Sequence, residues 1–209
     1  MKKVIIWILG TLVVLVGIGI IGLQYLKSQT KSLSPESEVS YEVAGVHIDV
    51  FYCRPSARGR KVFGASALVP FQQVWRTGAN EATTFVTETD IVLGGQEVPA
   101  GNYTLWTIPD VDTWQVILNK KQYSWGVNFE GVASREPEFD VLNVEVPVTR
   151  TERYVEMFTI DVDDEGLIFD WENTHVVVPL GKKDSRNQST NESPNESNND
   201  SPTESSTDA

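Results

Sequence analysis

Past residue 26 no stretch of this chain sustains a helical period. Short alternating runs recur instead, roughly every ten residues, each bounded by Gly, Pro, Asn or Asp. Val46–Cys53 sets Val46, Ile48 and Val50 against His47 and Asp49. Residues 83–88 and 90–93 are rich in Thr and Val. Residues 102–108 put Tyr103, Leu105 and Thr107 on one face; residues 113–118 do the same with Trp114, Val116 and Leu118. Residues 141–148 align Leu142, Val144, Val146 and Val148. Residues 153–162 and 166–171 flank the turn Asp163-Asp164-Glu165-Gly166, and 174–180 close the series. Eight or nine such runs predict an all-β domain, a single antiparallel sandwich or roll.

Two segments lie outside that domain. Residues 4–26 carry no charge, and only Thr11 and Gln24 interrupt the apolar and Gly run with strongly polar groups. As a helix rising about 1.5 Å per residue, the run is long enough to cross a hydrocarbon core of about 30 Å. Cleavable signal peptides have shorter apolar regions followed by small residues; here QYLKSQTKS follows. The expectation is an uncleaved transmembrane signal anchor, with a long signal peptide as the alternative. Lys2 and Lys3 precede the run and Lys27 and Lys31 follow it. The short N-terminal tail favours N-in, placing the domain outside the cytoplasm, in the periplasm or at the cell surface. At the other end, residues 181–209 hold no aromatic side chain and no aliphatic larger than alanine, so disorder is expected. Four Asn-x-Ser sequons there, beginning at Asn187, Asn191, Asn195 and Asn199, follow from a Ser/Asn-rich composition. The resulting organisation is a cytoplasmic stub (1–3), an anchor (4–26), a linker (27–38), a β-rich domain (39–180) and a tail (181–209).

The domain carries 21 acidic against 10 basic side chains. A balance so acidic repels a phosphate backbone, which argues against nucleic acid as a partner. The one cysteine, Cys53, permits no internal disulfide and sits in an apolar run, where it reads as a small buried hydrophobe. The two histidines, His47 and His175, show no metal-ligand spacing, and Asp163-Asp164-Glu165 is more simply a hairpin turn than a calcium loop. No metal or cofactor is expected. Nor is there a GxSxG elbow to raise Ser56 or Ser66 into a nucleophile with His47 and Asp49.

Against that acidic background, residues 50–80 contain no acid yet carry Arg54, Arg58, Arg60, Lys61 and Arg76. Arginine offers a planar fork that matches carboxylate or phosphate in two-point geometry. The run Trp75-Arg76-Thr77-Gly78-Ala79-Asn80-Glu81 adds an aromatic face, an amide and a carboxylate. Trp75 could stack a sugar, Arg54, Arg58 and Arg76 could anchor an anion, and Asn80 with Glu81 could read hydroxyls. Of the other tryptophans, Trp106, Trp114 and Trp171 lie in strand-like runs and suit a core, while Trp125 sits in a Gly-containing loop and joins the ligand candidates. Equally, Arg54 and Arg76 could pair with the domain's carboxylates and lock its loops.

Several of these runs have a familiar form: Arg54-Pro55-Ser56, Gly59-Arg60-Lys61-Val62-Phe63-Gly64, Val69-Pro70, the Trp75–Thr83 stretch, Pro99-Ala100-Gly101-x-Tyr103, Trp114 with Val116-Ile117-Leu118-Asn119-Lys120, and Trp125-Gly126. Together they closely resemble the exported bacterial family known as domain of unknown function 2911, over about residues 45–180. The resemblance implies export, one β-rich domain and an important Trp-Arg-Thr-Gly-Ala-Asn-Glu segment. The family has no established activity, so no catalytic role passes to any residue here. Cys53 stands where the family's usual pattern has Ser, which argues against a shared cysteine nucleophile.

Three functions are expected of such a chain. The first is a binding or accessory module for an anionic or polyhydroxylated envelope ligand. The second is a hydrolase in which Glu81 serves as general acid or base and Arg76 stabilises developing negative charge. The third is a purely structural envelope protein. An open cleft holding Glu81 and a second carboxylate would mark the hydrolase; a groove flanked by Trp75 and arginines would mark the binder.

Overall fold

A hairpin built on two left-handed residues starts the domain. β1 (Glu36–Val43) and β2 (Val46–Cys53) pair antiparallel through the turn Ala44-Gly45, where φ is 53° and 82°. Such a two-residue turn matches the natural twist of paired strands. The computed structural model describes residues 2–181, and residues 182–209 of the expected tail lie outside the described residues. The remaining elements are β3 (Thr84–Thr87), β4 (Ile91–Leu93), β5 (Gln96–Val98), β6 (Gly101–Pro109), β7 (Thr113–Asn119), a 3-10 turn (Pro137–Phe139), β8 (Asp140–Val162) and β9 (Gly166–Gly181).

The nine strands form one sheet in the order β1-β2-β3-β6-β7-β8-β9-β4-β5, with every pairing antiparallel. The all-β class expected from the alternating runs holds. The runs at 141–148 and 153–162 prove to be one strand, β8. Its register against β9 slips between Arg150 and Val155 and again between Val155 and Thr159. Bulges bend a strand and sharpen its twist, so the first half of β8 lies on β7 and the second half on β9. That second half also meets the chain just beyond β2. Ala57 N–H donates to Glu156 O (2.9 Å), Phe158 N–H to Pro55 O (2.9 Å) and Ile160 N–H to Tyr52 Oη (2.9 Å). The sheet therefore curls back on its own beginning.

Inside the curl sit Ile48, Val50, Phe85, Leu105, Val116 and Val144, facing Phe158, Ile160, Phe169, Trp171, Val176 and Val178. Trp75, Trp114, Trp171, Phe63 and Phe158 form an aromatic cluster with ring centroids 4.8 to 6.4 Å apart. Most of these contacts are edge-to-face, the arrangement that ring quadrupoles favour.

Ahead of β1 runs helix α1 (Lys2–Leu33), which continues through residues expected to be linker. The side chains of residues 2–6, 8, 23, 26 and 27 are not among those described. Among the described residues no helix is long and apolar enough to cross a membrane.

Candidate functional site

The Trp75–Thr83 stretch is a tight crossing beside β2 and β6, and most of its residues are committed to building it. Trp75 exchanges both backbone hydrogen bonds with Thr107 of β6 (2.8 and 3.0 Å). Its indole N–H donates to Gly78 O at 3.0 Å, and its ring stacks on Trp171. Thr77 takes a left-handed φ of 55° and is fully buried, its hydroxyl 3.2 Å from that of Thr107. A Cβ on Gly78 would stand 2.9 Å from Thr83 Oγ1 and 3.1 Å from Cys53 O, so only glycine fits there. Thr83 closes the turn by donating to Thr77 O at 2.9 Å.

Asn80 and Glu81 face α1. Asn80, left-handed at φ 56° and buried, donates through Nδ2 to Thr30 O (3.4 Å) and Ser34 O (3.3 Å). Both carbonyls lie at the C-terminal end of the helix, where Thr30 O also accepts the Ser34 N–H at 3.1 Å. Glu81 receives the Cys53 thiol at 3.3 Å and pairs with Lys31 of α1 at 3.2 Å; Lys31 also pairs with Glu36. Burial pushes the Glu81 carboxyl up, but its own backbone N–H, Cys53 and Lys31 together outweigh that and hold it below the usual value. Burial and the neighbouring carboxylate push the Cys53 thiol up to about 11, so it stays protonated. Glu36, Cys53 and Glu81 have ligand atoms within 4.8 Å of one another. The Lys31 ammonium already supplies the positive charge among them.

The other expected anion anchors are also spoken for. Arg54 donates to Phe158 O (3.1 Å) and Thr159 Oγ1 (2.7 Å), fixing the end of β2 to the second half of β8. Arg58 donates to Leu33 O at 2.8 Å, while its backbone N–H meets Glu156 Oε1 at 2.7 Å. Neither residue lines the cleft described next.

Arg76 is different. Its Nη1 donates to Trp125 O at 3.1 Å, and among the described residues it forms no ion pair. Gly126, at φ 75°, lies so close that a Cβ would come within 3.1 Å of Arg76 Cβ and 3.3 Å of its Cδ. The Trp125-Gly126 pair therefore holds the arginine stem, with Trp125 contributing its carbonyl. Burial lowers the guanidinium's proton affinity, partly offset by the Glu81 carboxylate nearby, yet arginine remains charged at any ordinary pH. The result is a half-buried cation at the wall of a cleft of about 460 Å³. Arg60, Trp75, Trp171, Gln73 and Ser34 share that wall, and Glu81 is not among its lining residues.

The cleft thus gathers two of the seven expected ligand residues, Trp75 and Arg76. Arg54, Arg58, Asn80 and Glu81 are drawn into contacts within the fold, and Trp125 acts through its backbone. Arg60, Gln73 and Trp171 are added. Arg60 stands in the same basic island and could have been chosen from it. Gln73 and Trp171 carried no signal, because their approach to the site depends on how β9 meets the 70–76 loop.

A family profile described as "Protein of unknown function (DUF2911)" matches residues 34–180. No curated protein and no solved structure matches the chain. The chain belongs to that family, as the motifs around Trp75 and Arg76 lead one to expect.

Proposed function

We propose that this chain is a membrane-anchored, extracytoplasmic module, a β-roll whose cleft binds an anionic or polyhydroxylated ligand of the cell envelope. The observation that carries the reading is Arg76, a half-buried guanidinium lining an open cleft without a carboxylate partner among the described residues. A desolvated cation gains more from an incoming anion than an exposed one does, because less water screens the pair. Charge-assisted hydrogen bonds from the remaining guanidinium N–H groups suit a phosphate or carboxylate. Arg60, whose guanidinium also donates to Ala57 O (3.0 Å) and Ser56 O (2.8 Å), adds a second positive charge at the cleft, and Trp75 and Trp171 offer apolar wall for a sugar ring or an acyl stem. The uncharged run 4–26 supports the anchor.

The hydrolase reading has less behind it. It needs Glu81 at the ligand, whereas Glu81 is engaged by Cys53 and Lys31 and is absent from the cleft lining. A structural role fits Arg54, Arg58 and Asn80 individually; Arg76 makes one hydrogen bond to Trp125 O and forms no ion pair among the described residues.

Thermal unfolding of the full chain, across a panel of sugar acids, phosphates and cell-wall fragments, tests the reading. A ligand present at 100 times its dissociation constant adds about 2.7 kcal/mol of stability. Arg54→Ala, which loses two hydrogen bonds from a partly buried charge, should lower the midpoint and keep the ligand shift. Arg76→Gln should abolish the shift. If no compound shifts the midpoint, the cleft is not a binding site for these classes.

A further inference from the structure

Three features converge at the C-terminal end of α1. The first is the junction itself. Arg58 donates to Leu33 O, Asn80 to Thr30 O and Ser34 O, and Lys31 pairs with Glu81, so the helix end is received by the island that builds the cleft. Ser34, the first residue past the helix, lines the cleft. The rise from residue 26 to Ser34 is about 12 Å of helix, while the headgroup layer outside a 30 Å hydrocarbon core is roughly 5–8 Å thick. The cleft therefore opens close to the headgroups of any bilayer that α1 enters.

The second feature is apolar. Val127 and Gly131 line the same cleft and flank a tight tip, closed by Asn128 N–H on Val132 O at 2.9 Å. That tip carries Phe129 fully exposed, and Val132 and the cleft residue Leu68 are also exposed. Glu130, the acid at the tip, is met by Asn128 Nδ2 at 3.4 Å. Single exposed apolar residues are ordinary on a surface, but a group of them around one mouth marks an interaction face.

The third feature is charge. Arg58, Arg60 and Lys61 are all exposed in a stretch of sequence without acids, where Glu156 of β8 meets the Arg58 N–H, on a chain of net charge −12. An anionic bilayer attracts this face and repels the rest of the domain, which selects one orientation.

We infer that the ligand of the cleft is the headgroup of an anionic phospholipid in the bilayer that α1 enters, with the domain lying on that bilayer by its cleft rim. Phe129 and Val132 dip into the interface, Arg60 and Lys61 meet lipid phosphates, and Arg76 takes one headgroup phosphate inside the cleft. The inference deepens the proposed function and rests on both its anchor and its anion site.

The test uses the full chain in nanodiscs of phosphatidylcholine alone or mixed with phosphatidylglycerol, with a spin label at Phe129→Cys. The native Cys53 is buried, so labelling is selective. With phosphatidylglycerol present, the label should relax several-fold more with oxygen than with an aqueous nickel chelate. Lys61→Glu, a change at an exposed position, should reduce that preference. A label that stays aqueous in both discs, or is equally immersed in both, overturns the inference. Glycerol phosphate added to the phosphatidylcholine discs separates the two readings. If it raises the unfolding midpoint while the label stays aqueous in both discs, the anion site stands and the lipid assignment falls. If it does not and the label is aqueous throughout, both fall.

Discussion

Glu81 shows how one side chain can read as catalytic in sequence and serve as a joint in the fold. Its carboxylate ties Lys31 of α1 to the domain and accepts the Cys53 thiol, and these partners keep it ionised below the ordinary carboxylate pKa of 4.5. A carboxyl whose folded pKa is lowered contributes stability that is complete above its unfolded pKa. That contribution disappears as pH falls through the folded value. The wild-type chain should therefore exceed Glu81→Gln in unfolding midpoint by a constant margin near neutrality, and the margin should close in acid below about pH 4.5. Midpoints of both proteins from pH 7 down to 3 measure this. A margin that widens in acid would mean that Glu81 is destabilising in its ionised form. Sequence could not separate these roles, because Glu81 sits next to Asn80 and near Arg76 in any reading. Its partner Lys31 lies 50 positions away, in a segment read as linker.

At the scale of elements, period-two alternation located most strands correctly, and turn chemistry located their ends. β1 escaped because its outward residues Glu36, Glu38, Ser40 and Glu42 leave only Val39, Tyr41 and Val43 to suggest a strand, as is common at charged sheet edges. The continuity of β8 also escaped, since a strand of 23 residues needs bulges that no local pattern announces. The β8–β9 turn was legible, and it depends on Gly166. That residue has φ 151°, and a Cβ there would fall 2.0 Å from Val178 O, in the backbone of β9. Gly45, in the β1–β2 turn, also has a positive φ but faces open space. Gly45→Ala should cost about 1–2 kcal/mol through backbone strain alone. Gly166→Ala should cost more than about 4 kcal/mol, because β9 must move to admit the methyl group. Urea unfolding of the two variants decides between them. Equal costs would mean that the turn relaxes freely and the close approach to β9 carries little energy.

For the whole molecule, the basic island marks the region where the cleft lies, and the cleft takes only some of its residues. The island's arginines are alike in sequence and divide by geometry: Arg54 secures the curl of the sheet, Arg58 holds α1, and Arg76 and Arg60 line the cleft. Only the folded chain separates them, because the groups that occupy Arg54 and Arg58 lie on β8 and α1. The account stands on Arg76 as the anion-binding cation, and calorimetric titration of the full chain with glycerol phosphate and with a uronic acid tests this most directly. The expected result is saturable binding of at least one of them, weakened tenfold or more in Arg76→Gln, a loss of about 1.4 kcal/mol or greater. Binding of equal strength in Arg76→Gln, or no binding of either anion to the wild-type chain, would contradict it.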